Sequence, residues 1–368
     1  MHRDNNFNLI RTVAALAVLV AHAYPIAWGP HAPKPLEGPL ELRGGLGTFA
    51  VIVFFIVSGY FITQSALRAK GTFDFWTARF LRIYPGLFVS LFLTALLGVG
   101  ASTLSIGDYF SSRQTYTYVP FGLTLVSIQY SLPGVFESTP FPQAVNGSLW
   151  TLFYEVLCYV MVSALATTGL LQHKTGRVAF FAIFFLLYLG AKVALSVGMI
   201  PTWTSRSAVN FLVHLLDLTP PFVIGMLFYL YRDRLPLNIA ICALFALFTT
   251  MASDTIIFRE MLLLTTAFCV FYLGFRSLQV LHPFNRLGDY SYGIYIYAFP
   301  IEQLVAHFFR DVSPVGIMMI ATPITVAVSA ASWHTIEGPA LSLRAKIASN
   351  LSPRLLDAST AIVKSELE

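Results

Sequence analysis

The sequence predicts an all-α integral membrane protein of about ten transmembrane helices with both termini in the cytoplasm. Three observations predict it. Of 368 residues, 56% are hydrophobic and only 11% charged, a balance suited to lipid, where backbone polar groups must be satisfied internally. The apolar residues fall in long blocks instead of the short alternating runs of a soluble core. Finally, the 23 Lys and Arg against 18 acids are scattered singly, which marks topology; a nucleic-acid partner would need them massed on one element.

Blocks of about 17 to 25 apolar residues, enough to span a bilayer, lie near 9–28, 46–67, 80–100, 149–171, 178–198, 209–231, 236–252, 259–276, 289–309 and 315–335. The first is long for a signal peptide, carries Arg11 and lacks a small-x-small cleavage site, so it reads as a retained helix. An even count puts both ends on one side. Arg3, Arg68, Lys70, Arg79, Arg82, Lys174, Arg177, Arg232, Arg234, Arg276, Arg286, Arg344, Lys346, Arg354 and Lys364 fall on that side. Only Lys34, Arg43, Arg113, Arg206, Arg259 and Arg310 fall on the other, which makes the termini cytoplasmic. The longest connection, 101–148, is rich in Ser, Thr, Tyr, Gly and Pro and reads either as a partly ordered lid or as a floppy loop. A second external segment, 29–45, carries Pro30, Pro33, Pro35 and Pro39. Cys158, Cys242 and Cys269 sit in apolar runs without metal-ligand spacing and read as small packing residues, so no metal is expected.

Ionisable side chains inside hydrocarbon are costly, so each is a candidate site. Arg11 and His22 share the first helix, about 16 Å apart along its axis. Arg11 is either a positive-inside anchor or a ligand group; His22 is either a helix-packing polar residue or a base. Glu155, on the fourth block, lies at a depth similar to that of His22, so the two are expected to pair. The pair is either a general base with its orienting carboxylate or a structural hydrogen bond. Tyr159, one turn from Glu155, extends the polar chain. Arg79 and Arg82 share one helix face and read alone as a positive-inside flank. Ser58-Gly59 marks close helix approach and not a nucleophile. Lys192 reads as a snorkelling side chain or as a group that binds an anionic acceptor, and the sequon Asn146-Gly147-Ser148 as incidental.

Together these motifs resemble the acyltransferase-3 family of bacterial surface-glycan O-acyltransferases. The resemblance rests on Arg11-x10-His22, Phe55–Tyr60, Arg79–Pro85, Ser148–Tyr159, Ser291–Pro300 and Trp333–Pro339, in order. It implies a ten-helix domain over 1–345 in the bacterial inner membrane, followed by a short cytoplasmic tail over 346–368. It also implies an O-acyltransferase taking an acyl group, by default acetyl, from acyl-CoA (acetyl-CoA) as co-substrate. The acceptor would be a hydroxyl on a polysaccharide or lipid-linked sugar of the cell envelope. By position His22 is the essential histidine, Arg11 the accompanying arginine, and Arg79 and Arg82 the donor-associated pair. Tyr292, Tyr295 and Tyr297 would line the cavity. Many members carry a second histidine where this chain has Ala298, so that residue's role does not transfer. No hydrolase-like domain follows the membrane portion, so transfer is expected to finish here or pass to a separate protein. Direct attack and a covalent acyl-His intermediate both fit. A transporter or flippase of a lipid-linked sugar or acyl donor is the rival class, and a non-catalytic scaffold a third. Oligomeric state is not legible in the sequence.

Overall fold

The computed structural model describes residues 5–42, 44–199, 204–276, 284 and 287–344. The expected tail over 346–368 and the orientation markers Arg3, Arg43, Arg286, Lys346, Arg354 and Lys364 lie outside the described residues. Among the described residues thirteen α-helices follow one another: α1 (Phe7–Trp28), α2 (Glu37–Leu40), α3 (Gly45–Arg68), α4 (Thr72–Gly98), α5 (Ile106–Ser111), α6 (Arg113–Thr124), α7 (Trp150–Thr167), α8 (Lys174–Ser196), α9 (Arg206–Leu230), α10 (Ile239–Met251), α11 (Phe258–Phe275), α12 (Ser291–Phe308) and α13 (Pro314–Ser332). A five-residue π turn, Trp333–Glu337, prolongs α13. No strand occurs among the described residues; Ser102 and Val135 make an isolated bridge.

Each of the ten apolar blocks coincides with a helix, and among the described residues eight helices are long and apolar enough to cross a membrane. The difference lies in α10, with 13 residues, and α12. The second has a physical reason. Nearly every side chain of α12 from Ser291 to Ala306 is buried because α1, α4 and α13 pack around it, so its polar Glu302 and Gln303 face protein and not lipid.

Two central helices organise the rest. α1 packs on α3, α12 and α13, and α3 on α1, α7 and α9. The contact of α3 with α9 is backbone to backbone. A Cβ at Gly59 would lie 1.9 Å from the Phe222 carbonyl oxygen, and one at Gly225 would lie 2.1 Å from that of Ile56. Gly59 of the Ser58-Gly59 pair therefore serves close approach, as membrane helix packing favours.

Pro300 gives α12 its other ties. It has no N–H to offer the Ile296 carbonyl one turn earlier. That oxygen instead accepts from Ser90 Oγ on α4 at 3.1 Å and from Asn146 Nδ2 at 2.9 Å. Asn146 is thus buried in a structural bond, and the sequon is inaccessible. Gln303 Nε2 donates to the carbonyls of Phe141 and Ala144 at 2.7 and 2.8 Å. The connection 101–148 is accordingly an ordered cap, with its own Tyr109, Tyr118, Val135 and Phe136 buried.

Lys192 pairs with Glu260 of α11, which also accepts from Tyr188 at 2.7 Å. The three cysteines are free.

Replacing Gly225 by Leu drives a side chain into the α3 backbone and is expected to cost about 3 kcal/mol. Gly190→Leu, on α8 where no atom lies within 4 Å, is the control. Thermal unfolding in detergent should separate the two variants widely; equal midpoints would contradict the packing described.

Candidate active site

Polar residues of α1, α3, α4, α7 and α12 gather in two places. The first is a cavity of about 650 Å³ toward the end of the bundle that bears the start of α1. Arg11, Arg68, Arg79, Arg82 and Arg344 reach it, as do Glu155, Tyr159, Asp289, Tyr292, Tyr295 and Trp333. The cavity therefore unites seven of the sequence-derived candidates, Arg11, Arg79, Arg82, Glu155, Tyr159, Tyr292 and Tyr295. His22 is not among its lining residues.

The arginines are not equivalent. Arg11 and Arg82 both donate to Asp289 Oδ2, at 2.5 and 2.7 Å. Arg82 also lies 3.9 Å from the buried Glu337 of the π turn, whose other oxygen accepts from Ser332 at 3.0 Å. Arg79 has no carboxylate within ion-pair distance among the described residues. Its Nη2 reaches Ser65 at 3.5 Å, and its Nε is shielded from solvent with no hydrogen-bond partner. Its guanidinium lies over the rings of Phe75 and Tyr159, at 5.8 and 5.9 Å from their centroids. A shielded cation left in this state favours an anionic ligand.

Asp289 sits just before α12. Burial works to raise its carboxyl, but the guanidinium groups of Arg11 and Arg82 outweigh that and hold it well below the usual carboxylate range.

Higher on the cavity wall, Glu155 Oε1 accepts from Tyr159 at 2.5 Å and from Ser58 at 3.2 Å. Tyr159 extends the polar chain as its spacing suggested, and Ser58 is a donor to a carboxylate. Tyr292 donates to the Ile83 carbonyl at 2.8 Å. Tyr295 donates to the Ser148 carbonyl at 2.7 Å and meets Thr151. Tyr297 turns away, toward Ser332 at 3.3 Å.

The second place is around His22. The expected His22–Glu155 pair does not form: the carboxylate facing His22 is Glu302 of α12, with Nδ1 to Oε2 at 3.9 Å. Glu302 is fully buried, and neither of its oxygens has a hydrogen-bond partner in the protein. The His22 ring stands edge-on to Phe299, 5.1 Å between centroids. Counting residues along helices gave Glu155 the depth of His22, but α7 turns that residue toward Ser58 and Tyr159. Thr151, one turn away, meets Tyr295, on the cavity side of the Phe299 and Glu302 that face the histidine.

The family model described as an acyltransferase domain matches residues 4–334. The chain belongs to the acyltransferase-3 family. Among its relatives is an O-acetyl transferase of Shigella phage Sf6, 28% identical over 355 residues, covering 92% of this chain and 96% of the relative. Another is Nodulation protein 10 of Rhizobium leguminosarum bv. viciae, 27% identical, covering 94% of this chain and 95% of that protein. No solved structure matches the chain.

In this acyltransferase-3 protein the spacing of Arg11 and His22 acquires a structural meaning. Eleven residues make about three helical turns, so both side chains leave α1 on one face, toward α12. There they meet Asp289 and Glu302 respectively. On α12, Tyr295, Phe299 and Glu302 follow at i, i+4 and i+7 along one stripe, which runs from the cavity to the histidine. Sequence reasoning missed Glu302, Asp289 and Glu337. An acid within the apolar block 289–309 was the available signal for Glu302, by the same rule that singled out Glu155. Among the described residues no group of His, Cys, Asp and Glu has metal-ligating proximity.

Because the folded value of Asp289 is depressed, its stabilisation is complete above the unfolded carboxyl value of about 3.9 and is lost only as pH falls further. Asp289→Asn leaves Arg11 without a carboxylate and Arg82 with only Glu337 at 3.9 Å, and is expected to cost about 3 kcal/mol. Thermal stability across pH should show a constant gap between wild type and variant from pH 7 down to about 4, narrowing below. A gap that closes between pH 7 and 5 would contradict the assignment.

Proposed function

We propose that this acyltransferase takes its acyl group from cytoplasmic acyl-CoA and places it on a hydroxyl of a surface polysaccharide or lipid-linked sugar, working in the bacterial inner membrane. The observation that carries the donor assignment is Arg79, a shielded guanidinium without a carboxylate in the wall of a cavity that also receives Arg68 and Arg344. A donor bearing several phosphates supplies the missing anions. The excess of Lys and Arg on connections at that end of the bundle supports its cytoplasmic placement. The name of the phage relative, O-acetyl transferase, supports acetyl as the group and oxygen as the acceptor atom.

With phosphates at the arginines, the donor arm rises past Glu155 and Tyr295 along the stripe of α12 toward Phe299. His22 turns Nδ1 to Glu302, which leaves Nε2 for substrate. That nitrogen takes the proton of the acceptor hydroxyl as the oxygen attacks the thioester carbonyl. The carbon–sulfur bond breaks, and the coenzyme A thiolate takes the proton back from the imidazolium. Glu302 fixes the ring and stabilises its charged form, the part the sequence had given to Glu155. Glu155 instead belongs to the donor path.

Glycan acylation read by mass spectrometry, in cells lacking the gene and complemented at matched membrane expression, tests this reading. His22→Ala is expected to lower acylation by a factor of about 10² or more, and Glu302→Gln by a similar order. Full rescue by His22→Ala would sink the catalytic reading. Full rescue by Glu302→Gln alongside loss in Glu155→Gln would return the histidine's partner to α7.

A further inference from the structure

Five arginines reach the cavity, and their neutralisation divides them. Arg11 and Arg82 are tied to Asp289, with Glu337 beside Arg82. Arg68, the last residue of α3, is exposed and makes no ion pair among the described residues. Arg344 is held by a two-point contact with Asp74 at the start of α4, Nε to Oδ1 and Nη2 to Oδ2 both at 3.1 Å. A guanidinium carries five N–H donors, so that contact orients the fork and leaves three donors uncommitted. Arg344 also lies near enough to Arg79 for the two charges to act on each other. The positive charge without a carboxylate therefore belongs to Arg79 within the wall and to Arg68, while Arg344, paired with Asp74, still offers its remaining donors to the cavity.

We propose that Arg68 and Arg344 form a separate phosphate subsite at the cavity mouth, which binds the phosphate on the ribose ring of the donor's nucleotide. The inference rests on the acyl-CoA reading above. Coenzyme A is linear, with its thiol at one end and its ribose phosphate at the other, and the diphosphate lies between. If the thioester is to approach His22, beyond the deep end of the cavity, the nucleotide stays at the mouth. The diphosphate then falls to Arg79 and the ribose phosphate to the two arginines at the ends of α3 and the α13 continuation. Arg82, although three residues from Arg79, is occupied by Asp289 and is a positioning residue. Asp74 holds Arg344 in place in the free protein and does not compete for its remaining donors.

Equilibrium binding of acetyl-CoA and acetyl-dephospho-CoA to the purified full-length protein in detergent tests this. The second ligand differs only in lacking the ribose phosphate. Wild type is expected to prefer acetyl-CoA about tenfold or more, the scale of charge-assisted hydrogen bonds to one phosphate. Arg68→Ala, at an exposed helix end that folding does not depend on, should remove most of that preference. It should do so by weakening acetyl-CoA alone, with acetyl-dephospho-CoA unchanged within about twofold. Arg344→Gln should act in the same direction. Equal weakening of both ligands in Arg68→Ala, or an undiminished preference, overturns the subsite while leaving the donor intact. Wild type that binds neither ligand overturns the acyl-CoA reading together with the subsite.

Discussion

Asp289 accepts from two helices at once, from Arg11 of α1 at 2.5 Å and from Arg82 of α4 at 2.7 Å. One carboxylate between two guanidinium groups satisfies both and is itself kept charged by them. The consequence is geometric: the entry to α12 is pinned between α1 and α4, and the registers of all three helices at that end of the bundle follow. The consequence is also electrostatic, because neutralising Arg82 leaves its neighbour Arg79 as the shielded cation without a counter-charge. A cavity that would otherwise hold two equivalent arginines holds one structural and one receptive.

The same pinning sets the other end of the contact between α1 and α12. The two helices run side by side from the arginine level to the histidine level, so His22 comes to Glu302 as Arg11 comes to Asp289. Pro300 contributes by releasing the Ile296 carbonyl to Ser90 and Asn146, which fixes α12 against α4 and the cap. The candidate base and its carboxylate are thus carried on packed helices and not on loops, the arrangement that holds reacting groups in place best. The unfilled hydrogen-bonding capacity of Glu302 and Arg79 is concentrated at the two points where substrate groups would arrive.

Much of this was legible in the sequence. Apolar block length located every long helix, and the cost of burying charge singled out Arg11, His22 and Glu155. The Ser58-Gly59 pair was rightly read as a crossing point, since only a missing side chain permits a carbonyl 1.9 Å from where a Cβ would stand. What the sequence did not yield was the level and facing of each acid. Glu155 lies in the cavity wall and Glu302 at the level of His22, and one-dimensional counting cannot tell which helix faces α1. Asp289, at the edge of a block, was missed because its role depends on two arginines more than two hundred residues away in sequence. The short α10 and the buried, polar α12 blurred the span count, because hydropathy reports contact with lipid and α12 has little.

The central claim is that chemistry, not transport, occurs where His22 meets Glu302. It is tested most directly by giving purified protein in detergent micelles acetyl-CoA with a lipid and glycan extract of the parent cells, and following release of free coenzyme A thiol. Micelles have no second compartment, so only an enzyme can act. The account predicts thiol release by wild type, with matching acetyl incorporation into the extract, and none above background by His22→Ala. No release by wild type, with movement of acyl donor or lipid-linked sugar across sealed vesicles instead, would contradict it.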